Sequence, residues 1–502
     1  MENVYIPIES NKKRKRASFY ALLQKWFGEE QLNNPVGYAI FLTIAVICAL
    51  AITKMGVAGG ALLIVGAVAF PFVYMIVAYP QIGIWILMIM AYTLFLIMSI
   101  GINFPFGTLM DGLQVLLFLG FFIQQRNRPD WQGMKGPITG LILLWILFNL
   151  IEIANPAAES RLAWVYTIRS VAIVTLTYFV FLYNIRTVAF IKIILKTWIF
   201  LAFCAALYGL KQEYIGFSAS EEAYLHSDPN IAGLLFIDGH WRKMSFLSDP
   251  VAFSYNMVVA SLLCIALLTG PIKFWKKGIL AFCIFIYLWA MLTSGTRGAY
   301  VLVPVTLIML AILKFNRRVL QLAIVGAVVI LGLIFVPTSN PTLYRFQSAF
   351  KPSDDASFNV RKANQKRIQP YIWSHPIGGG LGATGAWGQR FAPNSYLANF
   401  PPDSGYVRVA VELGWIGLFL FCLLVFTILK IGITNYYLIK DPELKTYCLA
   451  MVLIVFAYNI GNYPQEALVQ FPSNIYFYLV TALIVILLKL DKQKNQHLYA
   501  AK

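Results

Sequence analysis

The sequence predicts an all-α polytopic membrane protein of about 12–14 transmembrane helices, with a large non-cytoplasmic loop that carries short helices. Three observations predict it. Hydrophobic residues fill 59% of 502 positions while charged residues fill only 12%, about half the charge of an ordinary soluble domain. Apolar runs of 18 residues or more, each long enough to cross a hydrocarbon core of about 30 Å, recur along the whole chain. Basic residues, finally, gather in every second connection between those runs.

Apolar windows begin near Val36, Val57, Ile82, Leu109, Pro137, Trp164, Val188, Pro250, Gly278, Ala299, Val319, Ser404, Thr446 and Ser473. The fourth is short enough to read as re-entrant. With the N-terminus in the cytoplasm, Lys12, Lys13, Arg14, Lys15 and Arg16 lie inside. The alternate connections then carry Arg126/Arg128/Lys135, Arg186, Lys273/Lys276/Lys277, Lys314/Arg317/Arg318 and Lys430/Lys440/Lys445, and the tail adds Lys489, Lys492 and Lys494. Only the connection Tyr79–Ile82 lacks charge. This is the pattern of the positive-inside rule, and it places both termini in the cytoplasm. It divides the chain into a basic, amphipathic N-terminal segment (1–35), a bundle (36–336) with an outside loop near 209–249, a large outside loop (337–403), C-terminal spans (404–489) and a tail (490–502). The net charge of +18 is then largely topogenic, and the run Lys12–Arg16 before Ala17–Phe27 suits an anionic lipid surface better than nucleic acid.

Six cysteines at irregular spacing inside apolar segments read as core residues, not a disulfide framework, and four histidines form no cluster. No metal and no cofactor is expected. The N-terminus shows no cleavable signal pattern, so the first span is expected to stay as an anchor.

Charges within spans are expensive and mark function by default. On this topology Arg169, Asp249, Arg297, Arg408 and Glu412 sit at or within the outer ends of spans. Lys192 and Lys196, near an inner end, are expected to snorkel to the cytoplasmic surface. A transporter would place its charged site near the midplane, between repeats, so the asymmetry favours chemistry at the outer surface. The large loop is itself basic: Arg345, Lys351, Arg361, Lys362, Lys366, Arg367 and Arg390 stand against Asp354, Asp355 and Asp403. Topogenesis opposes such charge outside, whereas an anionic ligand at the membrane surface would explain it, arginine being suited to grip phosphate oxygens bidentately. Pairing with the loop's own acids or lipid headgroups is the bland alternative.

Four motifs follow one another: Arg242–Phe253 (RKMSFLSDPVAF), Thr293–Tyr300 (TSGTRGAY), Pro370–Gly382 (PYIWSHPIGGGLG) and Asp403–Gly417 (DSGYVRVAVELGWIG). This ordered set, flanking the largest outside loop, resembles the O-antigen ligase and polymerase superfamily (Wzy/WaaL-type membrane glycosyltransferases). The resemblance is strongest from Arg242 to Gly417. It implies a glycosyltransferase that uses a polyprenyl-diphosphate-linked glycan at the outer face of the bacterial cytoplasmic membrane. Arg297 then matches a functional arginine of the family, and Arg161, Arg169, Arg242, Arg361, Arg367 and Arg408 are candidates for binding the diphosphate or glycan. Preorganised arginines would stabilise charge growing on the departing diphosphate without a metal.

Family ligases carry a histidine nine residues before the glutamate of the last motif, thought to act as base; here Asp403 stands there, with Glu412 at the glutamate. An aspartate can do the same work with the right geometry, as a weaker base, and the departure favours a polymerase over a ligase. Asp403 also has the place of a helix cap, so cap and base both stay open. Glu412 is expected to pair with Arg408 one turn away, and Asp249, before Pro250, to cap its helix. The expected partners are the lipid-linked donor, a glycan acceptor (the sugar of another lipid-linked unit, or lipid A-core or protein), membrane lipids, and a chain-length regulator or flippase of the same pathway. A lipid-linked oligosaccharide flippase is the alternative of another class. Gly380–Gly385 has the spacing of a dinucleotide fingerprint but lacks the strand–helix context, so it is read as tight turns.

Overall fold

The computed structural model describes residues 33, 35–99, 106–127, 129–131, 134–237, 239–350 and 356–495. The basic run Lys12–Arg16, the segment Ala17–Phe27 and the loop charges Lys351, Asp354 and Asp355 lie outside the described residues. The chain forms two compact units, residues 1–74 and 75–502. The first holds α1 (Pro35–Met55) and most of α2 (Val57–Ala78).

The second unit begins with α3 (Pro80–Ser99), α4 (Phe106–Asn127), α5 (Pro137–Ile151), α6 (Arg161–Asn184) and α7 (Val188–Tyr214). Two short helices, α8 (Ala219–Leu225) and α9 (Pro229–Leu235), and a two-stranded ribbon, β1 (Phe236–Ile237) with β2 (His240–Trp241), precede α10 (Pro250–Leu268). Then come α11 (Phe274–Thr293), α12 (Arg297–Leu313) and α13 (Arg317–Phe335). The large loop carries α14 (Pro341–Ser348), α15 (Ala356–Ser374) and α16 (Gly385–Phe391), and α17 (Gly405–Leu438), α18 (Pro442–Gly461) and α19 (Ser473–Lys494) complete the chain.

Each of the fourteen apolar windows is thus occupied by a helix. Ten of these are long and apolar enough to cross a membrane, or up to 11 if the bent pair around Tyr79 counts as one span; α12 and most of α13 are apolar but shorter. The fourth window is not the short one: it folds as 22 continuous residues. The protein is therefore an all-α, multi-pass membrane protein.

Depth in the bundle follows from which helices are apolar on every side. In α10, α18 and α19, 83%, 78% and 72% of the most apolar window is buried, against 33% for α11 and 33% for α17, so the first three form the centre. Trp198, Tyr92 and Tyr476 interlock there, with Trp198 Nε1 donating to Tyr92 Oη at 3.1 Å.

Side-chain contacts also show which connections share an end. Lys314 donates to Thr269 O at 2.7 Å and lies near Lys445 and Lys277, which brings the α10–α11, α12–α13 and α17–α18 connections together. Lys192 reaches Glu443 at 2.8 Å, and buried Asp491 accepts from the amides of Lys440 and Asp441, adding the start of α7 and the end of α19. Lys192 thus has an acid partner on α18 where snorkelling was expected. At the other end of α10, α12, α17, α18 and α19 lie the ribbon, the large loop and all four motifs.

Candidate functional site

The site is built on the tight turn between α11 and α12. Gly295 adopts φ +62°, a left-handed conformation that costs a side chain but not glycine. Its freed carbonyl accepts from Arg345 Nε at 2.6 Å, and the preceding carbonyl, Ser294 O, accepts from Arg242 Nε at 3.0 Å. Two guanidiniums from distant segments, the ribbon and α14, therefore flank one glycine. A Cβ there would meet both, at 3.0 Å from Arg345 Nε and 3.4 Å from Arg242 Cγ.

Arg242 also donates to Thr296 Oγ1 at 2.9 Å and Leu234 O at 3.3 Å. All three of its hydrogen-bond partners are neutral. Burial, then the adjacent Arg345 charge, push its pKa down to about 10, against the opposing pull of Asp249; Arg361 adds to the depression. Tyr300, on the first turn of α12, lies within the field of Arg345, Arg242 and Arg297 together. The charges of Arg345 and Arg361 thus act on Arg242, and those of Arg345, Arg242 and Arg297 act together on Tyr300. Asp249 is a nearby acid among the described residues. Its Oδ1 caps α10, accepting from Val251 N at 2.7 Å and Ala252 N at 2.9 Å, as expected of an Asp before proline.

A second construction adjoins the first. Helix α17 is broken at Gly414, whose φ of +68° interrupts the helical run. The glycine-rich segment after α15 is laced into the break. Gly379 N donates to Val411 O and Gly380 N to Glu412 O, both at 2.9 Å, while Ile416 N donates to Pro376 O at 3.2 Å. Only glycine fits at 378 and 414, because a Cβ on either would collide with the other's backbone segment. The spacing that imitates a dinucleotide fingerprint is thus a seam between loop and helix. Irregular backbone at this depth is tolerated because it is buried in protein and its hydrogen bonds are made internally.

Glu412 closes the seam. Its buried carboxylate accepts from Gly382 N at 3.1 Å, Thr384 N at 3.3 Å, Thr384 Oγ1, and Arg408 Nε at 3.2 Å. Arg408 also reaches Glu466 at 2.7 Å. Arg408 is therefore held between two carboxylates, in contrast to the neutral partners of Arg242.

Asp403 stands just before α17, at φ +32°. The helix cap is Ser404, whose side chain makes no cap hydrogen bond, so the cap reading of Asp403 is not met. Its segment docks on the turn between α18 and α19: Gly405 N donates to Asn462 O at 2.9 Å and to Gln465 O at 3.3 Å. The same turn supports the arginine cluster. Tyr255 donates to Gly461 O at 2.9 Å, and a Cβ on Gly298, beside Arg297, would lie 3.2 Å from Pro464. Gly298, next to Arg297, and Gly405, two residues after Asp403, thus both lie against residues 462–465.

The remaining candidates are not gathered into the cluster. Arg169 pairs with Asp111 of α4 at 3.0 Å. Arg161 opens α6, exposed, one residue after its cap Ser160. Arg367 is exposed on α15, 5.9 Å from the ring centre of Phe400. Arg345 is the member that sequence reading left among general loop charge. No motif marks it, since its place depends on α14 folding back onto the α11–α12 turn.

The fold and these motifs define a multi-pass helical membrane protein with a cationic site at one end of its bundle. Residues 282–422 match the family described as O-Antigen ligase. That stretch holds Arg297, Arg345, Arg361, Asp403, Arg408 and Glu412. An O-antigen polymerase of Salmonella muenchen is 29% identical over 214 residues, which is 41% of this chain and 50% of that protein. The chain thus spans half the length of the curated relative it matches. Over these stretches the chain is thus similar to members of the O-antigen ligase/polymerase superfamily.

Proposed function

We propose that the protein is a glycosyltransferase that polymerises polyprenyl-diphosphate-linked oligosaccharide repeats into O-antigen, capsule or exopolysaccharide. It would work at the outer face of the bacterial cytoplasmic membrane, with both termini in the cytoplasm. The observation that carries this reading is the grouping of Arg242, Arg297 and Arg345 at the turn 293–298, with the Arg361 charge acting on Arg242.

In this reading the arginines hold the donor's diphosphate at the membrane surface. The acceptor hydroxyl oxygen attacks the anomeric carbon, Asp403 takes its proton, and the carbon–oxygen bond to the diphosphate breaks. The bonding electrons leave with the diphosphate, whose growing charge the guanidiniums stabilise. A single displacement of this kind inverts the anomeric centre. The acceptor is the sugar of another lipid-linked unit. A ligase that passes the glycan to lipid A-core or protein is the second reading, favoured by the description of the matching family.

Glycan length separates the cases in cells that depend on this chain. Arg297→Ala, Arg345→Ala and Asp403→Ala, each at normal membrane level, are expected to lose long polymer and accumulate single repeats. A ligase would instead leave polymer of ordinary length untransferred. Unchanged polymer in all three variants would remove the site assignment.

A further inference from the structure

At the end of the bundle opposite the arginine cluster, a groove of about 610 Å³ opens between α5, α17 and α19. Its rim carries three lysines, Lys135 just before α5, and Lys489 and Lys492 one turn apart on α19. All three are exposed, and none has a carboxylate partner among the described residues. The acid that α19 does bring to this end, Asp491, is buried and accepts from the Lys440 and Asp441 amides, so it does not neutralise the rim.

The floor is polar but internally satisfied. Thr139 and Tyr178 share a hydrogen bond at 3.2 Å, and Asn435 donates to Ile484 O at 2.9 Å. Val485 and Leu488 continue the same α19 face toward the membrane interior and make the wall apolar. Above that wall, Pro137 begins α5 without any side-chain cap on its free amides, which adds partial positive charge to the rim.

We infer that this groove binds one anionic phospholipid of the leaflet opposite the arginine cluster. Its phosphate would lie among Lys135, Lys489 and Lys492, and its acyl chains along Val485 and Leu488. The occupant follows from charge complementarity and shape. A cationic rim whose lysines have no carboxylate partner among the described residues suits a phosphate, and an apolar wall running inward suits the chains attached to it; basic pockets between spanning helices recognise anionic headgroups. A soluble phosphate would use the rim and leave the wall exposed. The inference does not rest on the glycan chemistry proposed above.

The test uses the full chain purified in mild detergent and examined by native mass spectrometry with phosphatidylglycerol or phosphatidylcholine. Wild type is expected to retain one phosphatidylglycerol in preference to phosphatidylcholine. Lys135→Ala/Lys489→Ala/Lys492→Ala should weaken that retention on the order of a hundredfold, about fivefold for each lysine. Lys273→Ala/Lys276→Ala/Lys277→Ala, which removes equal charge at the same end, should leave it within about threefold of wild type. The triple arginine variant at the groove restores charge and should restore binding, which separates a binding defect from misfolding. Equal retention of phosphatidylglycerol by both alanine triples would overturn the inference. So would competition by millimolar inorganic phosphate that displaces the lipid completely, since the rim alone would then account for binding.

Discussion

Replacing Glu412 with alanine should unlace the loop from helix α17. The carboxylate serves four donors: the Gly382 and Thr384 amides, the Thr384 hydroxyl and Arg408. Arg408 keeps Glu466 at 2.7 Å, but the three loop donors, in a buried place, lose their acceptor. Each unsatisfied buried donor costs about 1–3 kcal/mol, and the terms do not add fully because they share one network. A net cost of about 3–5 kcal/mol, the range for breaking a buried ion pair on one side, is expected. Glu412→Gln should cost less, roughly 1.5–3 kcal/mol, because its carbonyl still serves Thr384 and Arg408 while its amide opposes one donor. Hydrogen exchange resolves the effect locally, which matters because large multi-helix proteins need not unfold in two states. If the seam opens about 3 kcal/mol more easily, amides 379–384 should exchange about a hundredfold faster. Glu466→Gln, which leaves the Glu412 bonds in place, should change them by less than about threefold. Wild-type exchange at 379–384 in Glu412→Ala would refute the reasoning.

Two further outcomes follow from the same geometry. Gly414→Ala should lower the temperature of unfolding in detergent, because φ of +68° alone costs an L-residue about 1–2 kcal/mol and its Cβ would strike the Pro376 carbonyl; an unchanged midpoint would contradict the seam. Glu221, capping α8, gives a pH dependence. Burial alone would raise its pKa, but hydrogen bonds from Ser218 and Gln212 outweigh it and hold the carboxyl below its ordinary value. A depressed carboxylate contributes stability in full above its unfolded pKa and loses it as pH falls through the folded value. Amides 218–226 should therefore keep their protection near pH 6 and lose it below about pH 4, beyond the intrinsic rate change; a Glu221→Gln variant should show no such step.

The bundle was legible because membrane spans announce themselves by length and apolarity. The cap at Asp249 was equally readable: it precedes proline and accepts the first amides of its helix. The reading failed where an outcome depended on one residue's backbone. Asp403 has the composition of a cap, yet its φ of +32° hands the position to Ser404. Arg345 carried no local signal, because what selects it is the carbonyl that Gly295 turns outward, 50 residues away. The glycines after Pro376 could be read as turns but not as a seam, since their partners at Val411 and Glu412 lie across the loop.

The two arginine settings divide the labour of this end of the molecule. Arg408 lies between Glu412 and Glu466, so its charge is answered within the protein, and an added anion would have to displace a carboxylate at 3.2 or 2.7 Å. Arg242 is fixed just as firmly, by three hydrogen bonds, but to neutral oxygens, with further guanidiniums for neighbours. Asp249 offsets part of the like-charge repulsion that, with burial, lowers the Arg242 pKa. On the function proposed above, a diphosphate bound there would be stabilised by these guanidiniums, increasingly so as charge accumulates on it in the transition state. Arg408 therefore holds the loop onto its helix through Glu412, whereas Arg242, on the function proposed above, is placed to hold the donor.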